Sequence, residues 1–373
     1  MSYASIDTLQ KALSEQVFSR VHDSKKAAGR ALGTLVEVIT YHLLREWGLV
    51  ETISIERGLG EYGNADLTHN VEFTLHPIID TEQKAVRCTL PITSTKIWKD
   101  SELPKAYTVK KNTLLDSERT LRNACVIAES EEHVVLVNDV QPDGDAFSLQ
   151  ISTQLKQPFA MIECKRVGVE EGLKKGPQTI EKAKQGAYVA QRTSSLQKIR
   201  NNRGEKYGII YEGDTPIIKP YEELLRGIVR GEHPNLLRGF VMSIGVISNH
   251  GNWFTSGTPN KELKVLAQSY DRLLFLSDDG LTRFVEDLIL APSKEYESAR
   301  TAFMGSYVAE KTGNQFTKVK MSLDAHIAVC RYFHSHLSSI ESWFSIVSPE
   351  NVSLRDLKAE LTELKGKNWN QIL

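Results

Sequence analysis

The chain reads as α/β, with a mixed central β-sheet flanked by helices and a helical C-terminal part. Three observations lead there. Segments of period-two or continuous apolar character alternate with segments of helical period over the first two thirds, FAMIECKRV is apolar enough to be a buried strand, and the last third is mostly helical in pattern.

The first elements are helices over 5–21 and 26–47, the second carrying Leu32, Val36, Ile39 and Leu43 at helical spacing and ending at Trp47 and Gly48. From Val50 to about Trp98 the pattern favours strands, as in VEFTLHPI, where Val71, Phe73 and Leu75 alternate with Glu72, Thr74 and His76. A helix is expected over Leu114–Ile127. HVVLVNDV, a turn at QPDGD, AFSLQIS and FAMIECKRV then form a strand series. Gly176 and Pro177 open a helix running to about Ser195, and KYGIIYEG and GFVMSIGVIS are buried strands around the helix YEELLRGIVRG. A long helix over Met321–Ile346 and a terminal one over Leu354–Leu364 complete the chain, which divides into a core at 1–258 and a helical region at 259–373 for dimerisation or DNA recognition.

With 373 residues, 40% hydrophobic and 25% charged, the chain can bury a core without disulfides. Cys88, Cys125, Cys164 and Cys330 form no CxxC pair, which disfavours a zinc site or a disulfide framework. The opening MSYASIDTLQKALSEQ lacks the apolar stretch of a signal peptide and no later run approaches a membrane span, so a cytoplasmic protein is expected. Lys and Arg (46) nearly balance Asp and Glu (47), but between Glu163 and Lys206 eleven basic residues face five acidic ones. That local excess can attract a phosphate backbone, or it can be an ordinary solvated surface.

The chain contains six (D/E)xK patterns, and five lie in charged, turn-like or helical contexts. Only Glu163-Cys164-Lys165 interrupts a strongly apolar strand, where alternation puts Glu163 and Lys165 on one face. Two charges there cost desolvation energy unless they are paired or bind a metal. The single Pro-Asp dipeptide, Pro142-Asp143, lies twenty residues before Glu163 with one strand between, so adjacent strands can bring two carboxylates together as hard oxygen ligands for Mg²⁺. PDGD is equally a good turn, and Asp139 or Asp145 can take the ligand role instead.

These residues, PDGDAFSLQISTQLKQPFAMIECKR, resemble the PD-(D/E)XK nuclease core seen in many type II restriction endonucleases. The resemblance covers about a sixth of the chain. It implies a restriction-endonuclease-like core in which Asp143 and Glu163 chelate Mg²⁺ while Lys165 positions the attacking water. It also implies a role near the metal for Glu37, inside LVEVI, although an acid at the edge of an amphipathic helix is an equal reading. Gln185, three residues before Tyr188, falls one residue short of the Gln-x-x-x-Tyr pattern of some exonuclease relatives and is a candidate backbone contact. Lys174, Lys175, Lys182 and Lys184 are candidate phosphate contacts on charge.

Other chemistries lack their motifs: there is no HExxH, no GxxxxGK[ST] phosphate loop and hence no nucleotide cofactor, and no GxSxG elbow. The expectation is a Mg²⁺-dependent endodeoxyribonuclease acting on double-stranded DNA, as a homodimer if its site is palindromic. A non-catalytic DNA-binding protein of nuclease-like fold and a repair or structure-specific nuclease are the alternatives.

Overall fold

The computed structural model describes residues 5–87, 89–99, 106–168, 178–251, 261–308 and 315–372. Its centre is a six-stranded sheet in the order Ile53–Ile55, Phe73–Leu75, Ala160–Gly168, Met242–His250, Arg272–Leu276 and Phe344–Ser348. Ala160–Gly168 runs parallel to Met242–His250, which runs parallel to Arg272–Leu276, while the outer pairings are antiparallel. The expected mixed sheet flanked by helices is therefore present.

The 160–168 strand is apolar on both faces because helices cover both. Ile162 and Cys164 share a core with Leu35, Val36 and Ile39 of the helix Ser24–Leu44. Met161 packs instead with Val189 and Ala190 of the helix Gln185–Thr193. Burial on two sides is what turns a strand into a continuous apolar run, and it makes the two charges in ECK expensive.

A second, five-stranded antiparallel sheet comprises Ile78–Val86, Ala146–Leu155, His133–Asp143, Cys125–Glu129 and Thr108–Val109 in spatial order. It carries its own core of Leu115, Ile127, Val135, Val137, Leu149 and Ile151. The chain crosses between the sheets at His76 and Pro77, where the Leu155 amide donates to the Pro77 carbonyl at 3.0 Å.

Three expectations are corrected. The segment 114–127 is three short strands, Thr113–Leu115, Thr120–Arg122 and the start of Cys125–Glu129, and not a helix; its apolar residues feed the second core from a meander. The long C-terminal helix stops at Glu341 within Leu323–Glu341, and Phe344–Ser348 is a strand. The boundary at 258/259 does not separate two folding units, because Arg272–Leu276 and Phe344–Ser348 complete the central sheet. No helix among the described residues is long and apolar enough to cross a membrane.

Candidate active site

Strand register builds the site. Ile55 and Ile162 both lie opposite Phe73, so one residue further along each strand Glu56, Glu72 and Glu163 fall opposite one another. The Glu56 amide donates to the Glu72 carbonyl at 3.2 Å, and the Glu72 amide approaches Glu163 Oε2 at 3.4 Å. Like charges directly opposite on neighbouring strands repel, so this row persists only with cations inserted.

Two lysines meet that requirement. Lys165 Nζ lies 2.8 Å from Glu163 Oε1 and 3.0 Å from Glu72 Oε1. Lys318, only 3% exposed, reaches Glu72 Oε2, Glu56 at 2.8 Å and Glu37 at 3.1 Å. Glu72 thus carries one ammonium on each carboxylate oxygen. Burial pushes the Glu37 carboxyl above its ordinary range, an effect the Lys318 ammonium opposes. His69 closes the other side, its Nε2 3.3 Å from Glu163 Oε1.

The opposite wall is the helix Gln185–Thr193. A Cβ on Gly186 would stand 2.6 Å from Glu163 Cβ, so only glycine lets the helix approach this closely. Beside it lies a groove of about 600 Å³ lined by Lys182, Lys184, Gln185, Tyr188 and Gln191. Arg192 stacks over the exposed Tyr188 ring at 4.9 Å, and Lys184 pairs with Glu181 at 2.7 Å.

Of the residues singled out in the sequence, Glu163, Lys165 and Glu37 gather in this cluster, and Lys182, Lys184 and Gln185 line the adjoining groove. Lys174 and Lys175 lie outside the described residues. Asp143 is not brought to the site. It ends the strand His133–Asp143 opposite Ala146, exposed at the tip of the hairpin in the five-stranded sheet. Ala146 is eight residues along its strand from Gln154, whose Oε1 accepts from Ser54 Oγ of the central sheet at 2.9 Å, a separation of roughly 26 Å at the usual rise. The chain leaving Phe73 for Ile78–Val86 runs away from Glu163, since Leu75 pairs with Ala160. Asp139 and Asp145 are no replacements: Asp139 is bound to Arg45 at 2.7 Å, and Asp145 lies on the same exposed hairpin near Arg87.

Glu72, Glu56, Lys318 and His69 were missed. Glu72 alone left a trace, as an acid within the apolar VEFTL. The other three sit in stretches without periodic pattern, and only chain crossing brings them in.

Among the described residues no three or more His, Cys, Asp or Glu side chains are already arranged to hold a metal ion. Mg²⁺ needs fewer protein ligands, because it keeps several waters and binds through one or two carboxylates plus substrate phosphate. Glu72 and Glu163, hard oxygen donors converging on one ammonium from adjacent strands, fit that demand. Compared with known proteins, the chain matches no protein-family model, no curated protein and no solved structure.

Proposed function

We propose that the chain is a Mg²⁺-dependent DNA endonuclease, with a type II restriction enzyme of the PD-(D/E)XK kind as its closest functional model. The observation that carries this reading is the convergence of Glu72 and Glu163 on Lys165 within a buried, acid-rich row. Glu72 takes the place first expected of Asp143. Glu72 and Glu163 would hold a divalent cation, which would supply charge neutralisation at the phosphate and a more acidic bound water.

The chain's own groups do the rest. Lys165, 28% exposed in its side chain, is the cation of the row that reaches solvent, which supports a role for its ammonium in orienting the attacking water and balancing charge growing on the phosphate. His69 fixes the Glu163 carboxylate from the loop side. Lys182 and Lys184, beside the Tyr188 face, offer backbone phosphates a basic groove. A palindromic target would be met by two copies related by a two-fold axis.

The direct test is supercoiled plasmid with Mg²⁺, Ca²⁺ or EDTA. Cleavage is expected with Mg²⁺ and not with EDTA, and gel-shifted but largely uncut plasmid with Ca²⁺. Discrete bands support the restriction reading, and cutting confined to branched or damaged substrates selects a repair nuclease. A shift without cutting in any metal leaves a DNA-binding protein and sinks the nuclease.

A further inference from the structure

The cluster contains a lysine that the proposed reaction does not use. Lys318 enters from the turn before Lys320–Ser322, some 150 residues after the ECK strand. It is held at both ends. Asn123 Nδ2 donates to the Lys318 carbonyl at 2.9 Å, the Asn123 amide donates to the Val319 carbonyl at 2.9 Å, and Thr317 closes the turn onto Lys320 at 2.7 Å. Its ammonium meets carboxylates from three elements: Glu37 on the helix Ser24–Leu44, Glu56 just past Ile53–Ile55, and Glu72 just before Phe73–Leu75.

The two cations of the row differ in access. Lys165 is 28% exposed and Lys318 3%. Glu72 bridges them, one oxygen to each, so the row holds two neighbouring positive charges, as a two-metal phosphodiester site does. Four carboxylates, Glu37, Glu56, Glu72 and Glu163, stand around two lysines; Glu56 is half exposed and burial favours the neutral form of Glu37, so the acid excess falls mainly on the buried Glu72 and Glu163. Without Lys318 the excess grows by one, and leaving the buried Glu72 carboxylate uncompensated on that side is costly.

We propose that Lys318 is the fixed second cation of this site: its ammonium stands permanently where a second metal ion would, so that one divalent ion exchanges, on the Lys165 side of Glu72. This rests on the nuclease reading above and assigns its metal stoichiometry. A clasp serving only to pin the 315–322 segment to the core would put the same lysine among acids, but would leave metal binding untouched by its loss.

The test is titration of the full chain with MnCl₂, counting free Mn²⁺ by electron paramagnetic resonance and following melting in parallel. Wild type should bind one Mn²⁺ per chain. Lys318→Met should bind two, melt lower than wild type without metal, and regain more melting temperature from MnCl₂ than wild type does. Should the variant be unfolded without metal, refolding in MnCl₂ should restore it. Two Mn²⁺ in wild type, an unchanged count in folded Lys318→Met, or an unfolded variant that MnCl₂ does not rescue would each overturn the assignment of Lys318 while leaving the nuclease reading standing. No Mn²⁺ bound by folded wild type would remove that reading itself.

Discussion

Two buried clusters of charge sit two strands apart on the central sheet. Around Arg272–Leu276, the fully buried Arg272 holds Glu360 through a fork at 2.6 and 2.9 Å and Glu222 at 3.0 Å. Next to it Asp271 accepts from the Ser243 amide at 2.7 Å and hydroxyl at 2.8 Å and pairs with Lys198 at 2.6 Å. Burial alone would push the Asp271 carboxyl up, but Lys198 and Ser243 outweigh it and hold it below its ordinary range. Here Arg272 sits innermost with Glu222 and Glu360 closed around it, while at the neighbouring pair the acid Asp271 is inside and Lys198 covers it. At Glu163 the acid excess is larger, four carboxylates to two cations against three to two, and the outlets are Lys165 and His69, 28% and 30% exposed. The first arrangement opens to solvent through an acid, Glu222, whereas the second opens through Lys165 and His69. Burial of charge by itself therefore does not distinguish the two clusters; the size of the acid excess and the group that stands at the opening do.

Breaking the closed cluster should produce the largest effect, and it should fall on stability. Arg272→Met strands Glu360 and Glu222, a loss of about 3–5 kcal/mol for a buried pair broken on one side. Denaturant melts should show it as a lower midpoint, with the molecules that remain folded cleaving DNA at the wild-type rate. A rate lost while the midpoint held would make the two clusters alike.

The complementary substitution is Lys165→Ala, whose effect should fall on rate. Removing one preorganised electrostatic group costs about 10²–10³ in turnover, while melting in saturating Ca²⁺, where the bound ion compensates Glu163, and the Ca²⁺-dependent gel shift stay close to wild type. Cleavage near the wild-type rate by folded Lys165→Ala protein would refute the assignment of this strand.

Gly186→Ala sharpens the comparison by moving the wall and leaving the charges in place. The added Cβ meets Glu163 Cβ at 2.6 Å, so either the helix Gln185–Thr193 or the Glu163 side chain must shift. Overpacking of this kind costs about 1–3 kcal/mol, and a displaced carboxylate should lower turnover by up to about 10²-fold. Paired melting and single-turnover cleavage separate the two, and a normal rate would show that Glu163 does not need its present position.

The smallest effect belongs to Asp143→Ala. An exposed hairpin tip away from the cluster should change stability by no more than about 0.5 kcal/mol and leave Mg²⁺-dependent cleavage as it was. Loss of cleavage would return Asp143 to the site and displace Glu72.

Much of this was readable along the chain, for a definite reason. Where one segment's own pattern decides its environment, as in FAMIECKRV, period and apolarity placed Glu163 and Lys165 on one face of a buried strand, and the helical spacing of Leu32, Val36, Ile39 and Leu43 placed Glu37 on a core helix. The segment 114–127 was misread because short apolar runs have no distinguishing period. The strand Phe344–Ser348 was hidden as well, joined without punctuation to the helical pattern before it.

By itself the sequence determined the local half of the site: an acid and a lysine two residues apart on a strand, with a basic helix after it. Only the tertiary structure decided the partner acid, because cross-strand register is a relation between segments. The strand that carries Asp143, His133–Asp143, pairs into the other sheet, whereas Phe73–Leu75, some ninety residues before the ECK strand, lies beside it. A Pro-Asp at plausible spacing therefore pointed to Asp143, while the antiparallel pairing of Phe73 with Ile162 set Glu72 against Glu163. Lys318 is the extreme case: nothing in GNQFTKVKMS distinguishes it from a surface lysine, and its burial among three glutamates exists only because the turn that carries it is fastened by Asn123 against the core.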